Sequence, residues 1–153
     1  MAQEDEVPVR PPSRLRALVA WQVNRVATLA ARLTTQRMSP GGRADYAVLA
    51  ALEEYGPLSQ ADIGRRLGLD RNDVNAIMSR LEGGGLVTRR ADPANRSRNI
   101  VRRTAAGSRR LRQLQDHADA VQRDLLAGLS AEESATLQAL LTKVLDTHGP
   151  QSA

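Results

Sequence analysis

The sequence predicts a mainly α-helical fold with one small β-hairpin. Three observations carry that reading. Apolar residues recur at three- and four-residue spacing in six segments. Ser, Thr or Asp stands before several of these segments and Gly after them, the residue types that start and stop helices. Residues 86–103 instead form two short extended runs around a polar, Pro-containing loop.

Taken in order, residues 1–13 read as a disordered leader with acids at 4–6 and Pro8, Pro11 and Pro12. Ser13 is placed to cap a helix over 14–37, with Leu15, Leu18, Val19, Val23, Val26, Leu29 and Leu33 at helical spacing. Ser39-Pro40-Gly41-Gly42 ends it. A second helix spans about 43–55 and stops at Gly56-Pro57. Ser59 caps a short helix over 60–67, closed by Gly68. Asp70, with Asp73 three residues on, starts a helix that reaches Glu82 and ends in Gly83-Gly84-Gly85. Strands at 86–90 and 99–103 flank a loop at 91–98. Thr104 caps a long helix to Ala127, and Ser130 with Glu133 forms a capping box for a last helix to Thr147. The chain thus divides into a leader (1–13), an N-terminal helical segment (14–42), a central lobe (43–103), a C-terminal helical segment (104–148) and a frayed tail (149–153).

Composition bounds the chemistry. A chain of 153 residues with 41% apolar content suits one domain. Cys is absent, so disulfides, zinc fingers and thiol sensing within the chain are excluded. No stretch approaches the roughly 20 apolar residues of a membrane span, and the acidic start is unlike a secretory signal. A cytoplasmic protein without a membrane partner is expected. The net charge of +5 is unevenly spread. Residues 1–59 carry +1, residues 60–110 carry +7 and residues 111–153 carry −3. A basic middle suits either a polyanion, nucleic acid first, or a plain solvated face.

Two short helices joined by a Gly turn and followed by a hairpin follow the order of a winged helix-turn-helix. In the helix from Arg71, Val74, Ile77, Met78 and Leu81 share the face expected to be buried. The opposite face presents Asn72, Asn75, Ala76 and Ser79, flanked by Arg71 and Arg80. Short and amide side chains with Arg match base edges in a major groove, although an ordinary amphipathic helix accounts for the apolar face alone. At the hairpin tip, Asn95, Arg96 and Arg98 are candidates for a minor groove, or Asp92 pairs with one of the two arginines to brace the loop. Arg89, Arg90 and Arg102 on the stems are candidates for phosphate contacts.

From Asp45 to Gly107 the sequence resembles the MarR family of bacterial transcriptional regulators. The residues that carry the resemblance are Gln60-Ala61-Asp62-Ile63-Gly64-Arg65-Arg66-Leu67, Met78 to Val87, Asp92 to Arg98, and Thr104-Ala105-Ala106-Gly107. The resemblance implies that the helix from Arg71 is the recognition helix and that Arg96 enters the minor groove. It also implies a homodimer built from N- and C-terminal dimerisation helices, with double-stranded DNA and a small-molecule effector as partners. Arg103 departs from the family, which has an aliphatic residue there. Its stem is expected to cover the apolar position while its head reaches solvent.

The terminal helices exceed what a compact lobe needs, so their apolar faces are buried in a dimer or against the chain's own core. Trp21, on the first helix, resembles the urate-responsive branch of the family and is a candidate ligand-pocket residue, although core or dimer packing is the simpler explanation. His117 and His148 do not form a metal site, and no cofactor is expected. No nucleophile–base pair, phosphate loop or metal cluster points to an enzyme. The expected function is a sequence-specific DNA-binding regulator, a homodimeric repressor on a pseudo-palindromic operator that a small aromatic ligand releases. A non-specific architectural DNA-binding protein is the alternative.

Overall fold

The capping residues supplied by the sequence set most of the helix ends. The structure, a computed structural model, describes residues 10–149. Its elements are α1 (Ser13–Arg16), α2 (Val19–Arg37), α3 (Gly42–Tyr55), β1 (Leu58–Ser59), α4 (Gln60–Leu67), α5 (Arg71–Gly83), β2 (Val87–Asp92), β3 (Asn95–Arg103), α6 (Ala105–Leu125) and α7 (Ala131–His148). Ser59, Asp70 and Thr104 accept from the backbone N–H three residues on. At Ser130 and Glu133 both halves of the capping box form; at Asp70 only the forward bond does. Gly68 closes α4 in the left-handed region, φ 63°.

Two expectations at the N-terminus are corrected. Ser13 lies inside α1 and Pro12 occupies the cap position without a side-chain bond. The predicted single helix is broken at Ala17–Leu18, where Gln22 Nε2 donates to the Arg16 carbonyl at 2.8 Å. The leader over 1–9 and the tail beyond Gly149 lie outside the described residues.

The hairpin also differs from its prediction. β3 lies between β1 and β2, antiparallel to both. The connection is only Pro93-Ala94, so the predicted long loop is mostly strand. The irregularity lies in the register instead. Ala91 faces Asn99 while Asp92 faces Asn95, which leaves Arg96, Ser97 and Arg98 without partners on β2.

The core joins Val48, Leu49 and Leu52 of α3, Ile63 of α4, Val87 and Val101 of the sheet, and Leu111 and Leu114 of α6. Val74, Ile77, Met78 and Leu81 of α5 are all buried in it, as their spacing predicts. Gly107 shows why a glycine follows the Thr104 cap. A Cβ there would overlap the Leu86 carbonyl oxygen, while Thr104 Oγ1 donates to the Gly85 carbonyl at 2.7 Å. The stem of Arg103 fills space beside Gly107. Its head ends in an ion pair at the surface, where Nη1 donates to Glu53 Oε1 at 2.7 Å.

The terminal helices are a different case. α2 packs along α6, with Arg37 ion-paired to Asp124, yet none of its residues is buried. α7 makes no extensive contact with any other element among the described residues. Val19 is 71% exposed, Leu140 57% and Leu145 65%. No helix among the described residues is long and apolar enough to cross a membrane.

Candidate nucleic-acid interface

α5 is seated by its four buried apolar residues, so its opposite face is exposed. Arg71, Asn72, Asn75, Ala76, Ser79 and Arg80 all lie on that exposed side. The structure distinguishes among them. Arg80 is ion-paired to Asp45 of α3, a buried acid, and lies against Gly41. Asn75 Oδ1 accepts from Gln60 Nε2 of α4 at 2.7 Å. Arg71, Asn72 and Ser79 engage no side chain among the described residues.

The wing separates its arginines in the same way. Arg98 Nη2 donates to Asp62 Oδ2 at 2.7 Å, 36 residues back on α4. The brace suggested for Asp92 is therefore supplied by Asp62; Asp92 Oδ1 instead accepts from Ala94 N within the turn, at 3.0 Å. Asn95 Oδ1 accepts from both the backbone N–H and the hydroxyl of Ser97, which stiffens the turn beside Arg96. Arg96 itself is exposed and carries no ion pair among the described residues.

On the stems, strand alternation decides which arginines are free. Arg89 shares the inner face with Val87 and Val101, and its Nε donates to Glu82 at 2.7 Å. That bond holds the Glu82 carboxyl below its usual range. Arg90 and Arg102 are exposed.

Asp62 is the hub that sequence reasoning missed. Its carboxylate accepts from the Ser59 hydroxyl at 2.5 Å and is ion-paired to Arg98 and Arg65. The Ser59 hydrogen bond first, and the two guanidinium groups with it, lower its pKa despite partial burial. An acid in the first turn of a helix is an ordinary sequence feature, so nothing marked it as the anchor of the wing. Gln60 and Asp45 were missed for the same reason: their partners lie 15 and 35 residues away.

Trp21 is half-buried on α2, with the Arg25 guanidinium 5.9 Å from its ring centroid.

Comparison with known proteins matches residues 42–96 to the MarR family model. The PcaV transcriptional regulator of Streptomyces coelicolor is 31% identical and superposes with a TM-score of 0.71, over 84% of this chain and 96% of that one. The chain belongs to the MarR family. This is a family of DNA-binding transcription regulators, not enzymes, and the described helices and three-stranded sheet form its winged helix fold. MarR of E. coli, solved as a cysteine-to-serine mutant with operator DNA, is 25% identical, with a TM-score of 0.70 over 82% of this chain and 92% of that one. The transcriptional repressor NicR of Pseudomonas putida is 29% identical over 67% of this chain. The chain spans 59–65% of the length of NicR and of three further curated relatives that it matches. PcaV has also been solved in complex with its natural ligand, and BpsR of Bordetella bronchiseptica, 23% identical with a TM-score of 0.72, is a protein whose DNA binding is regulated by 6-hydroxynicotinic acid.

Proposed function

We propose that this MarR-family chain is a cytoplasmic homodimeric repressor that binds a pseudo-palindromic operator. α5 enters the major groove, with Arg71, Asn72, Asn75, Ala76 and Ser79 toward the bases. Arg96 enters the minor groove beside Asn95, and Arg90 and Arg102 contact phosphates. Arg80, Arg89 and Arg98 act mainly by holding these elements in place, because each is ion-paired within the chain.

The observation that carries the reading is the division of the surface. The central lobe and α6 close over one core, whereas much of the apolar faces of α2 and α7 stays exposed among the described residues. Large uncovered apolar faces call for a partner, and a second copy offers the same faces in return. Such a dimer places two copies of α5 about one helical turn apart on DNA. Regulation by a small aromatic ligand, with Trp21 as its candidate contact, is in keeping with the structure of PcaV in complex with its natural ligand.

The test is a fluorescence-anisotropy titration with the duplex immediately upstream of the gene and a scrambled competitor, at two salt concentrations. Specific recognition gives a preference of roughly 10³-fold or more. Equal, steeply salt-dependent binding to this and to selected duplexes returns the architectural alternative. Sedimentation of wild type against Leu140→Glu/Val144→Glu checks the dimer, which the double variant should dissociate.

A further inference from the structure

Ala76 stands near the middle of the outward face of α5, exposed and opposite the buried row Val74, Ile77, Met78 and Leu81. Its neighbours one helical turn away are Asn72 and Asp73 before it and Ser79 and Arg80 after it. Three of these have short side chains. The fourth is long, but Arg80 is drawn off onto Asp45 of α3 and lies against Gly41. No long side chain of the neighbouring turns therefore stands over Ala76. Here the backbone of α5 can come closest to a flat surface such as the edge of a base.

A methyl group carries no donor or acceptor. Pressed against the polar edge of guanine, adenine or cytosine, it leaves nitrogen or oxygen atoms without partners and cut off from water, which is unfavourable. Among the four bases, only thymine presents a C5-methyl group in the major groove. Two methyl groups in contact there remove apolar surface from water on both sides.

We propose that Ala76 is a specificity-determining residue: it selects thymine at one position of each operator half-site by contact with the C5-methyl group. The inference rests on the reading of α5 as the recognition helix. The pull of Asp45 on Arg80 clears the approach, so a residue of α3 that touches no base contributes to the choice of one.

The experiment selects bound duplexes from a randomised double-stranded library with the full chain. Each thymine of the selected site is then replaced in turn by deoxyuridine, which lacks only the C5-methyl group and keeps the same hydrogen-bonding edge. Wild type, Ala76→Gly, Ala76→Ser and Asn72→Ala are compared, with circular dichroism as the check of fold. For wild type, one replacement in a half-site should weaken binding about fourfold, the worth of one buried methyl-sized group. In Ala76→Gly the same replacement should cost almost nothing. Glycine also weakens the helix itself and so lowers affinity for all duplexes alike; ratios between duplexes are therefore read rather than affinities. Ala76→Ser, whose hydroxyl can meet any base, should narrow the preference for thymine over the other three at that position. If no replacement costs wild type as much as about twofold, or if the cost survives in Ala76→Gly, the proposal is overturned. Asn72→Ala separates that failure from a failure of the reading beneath it. A position altered by Asn72→Ala, with no methyl dependence on Ala76, overturns the proposal alone. Failure to enrich any sequence, or no position altered by Asn72→Ala or Ala76→Gly, overturns the recognition-helix reading and the proposal with it.

Discussion

The guanidinium of Arg80 lies on the carboxylate of Asp45 and against the backbone of Gly41. α5 is thereby fastened to the turn that leads out of α2. Asp45 is one of the few buried polar residues, 8% exposed, so loss of Arg80 would leave it without its ion-pair partner. Asp45→Asn should cost about 1–2 kcal/mol in urea unfolding, a charged hydrogen bond discounted for the half-exposed arginine. Arg80→Ala should weaken DNA binding by a similar factor for every sequence. A loss confined to one base pair would place Arg80 in the groove instead.

Arg96 stands in the unpaired bulge of β3 with no internal ion pair among the described residues. Arg96→Ala should leave the melting temperature within about 2 °C, as surface changes of this kind do. It should cost about 1–3 kcal/mol of DNA affinity, the scale of one specific contact. Anisotropy and thermal melts on the same samples check both halves. Unchanged affinity would remove the wing tip from the mechanism.

Gly107 has its α-hydrogen facing the Leu86 carbonyl, with no room for a methyl group. Gly107→Ala should therefore destabilise the chain by about 3 kcal/mol, the upper end for overpacking. The higher helix propensity of Ala offsets this by about 1 kcal/mol at most. Chemical denaturation measures the net change, and a neutral result would show that the strand–helix junction yields easily.

Asp62 has its pKa lowered below the usual 3.8 by the Ser59 hydroxyl, Arg65 and Arg98. A carboxyl whose folded pKa is depressed stabilises the fold above its unfolded value. That contribution is lost as pH falls through the folded value. The wing brace should thus be intact at neutral pH and released only below about pH 3.8. An NMR titration of the Asp62 carboxyl carbon, with the amides of residues 96–100 as reporters, should show both moving together. In Asp62→Asn that acid transition should be missing from the wing amides.

The regular parts of this molecule were legible in its sequence because their causes are local. Val74, Ile77, Met78 and Leu81 announce a buried face by spacing alone. Ser130 and Glu133 announce a helix start by chemistry alone. What escaped lacks a local cause. The break at Ala17–Leu18 contains neither Gly nor Pro. β1 is two residues long, too short to display alternation. The wing loop looked long because Arg96, Ser97 and Arg98 are polar, yet they continue β3 after a two-residue turn. In the candidate site, the sequence supplied the outward residues of α5 but not which of them are held. The ties from Asp45, Gln60 and Asp62 join segments that meet only once the chain has folded.

The central place of β3 has a mechanical consequence. On one side it hydrogen-bonds to β2, completing the wing. On the other it hydrogen-bonds to Leu58 and Ser59, and Ser59 is the cap of α4. The strand carrying Arg96 and the first helix of the helix-turn-helix are thus one welded piece. Neither can be retuned without dragging the other, so a change at Ser59 is transmitted to the wing as well as to α4. If two copies grip DNA as proposed, a releasing signal would move each wing and its helix-turn-helix as one jaw rather than reshape it.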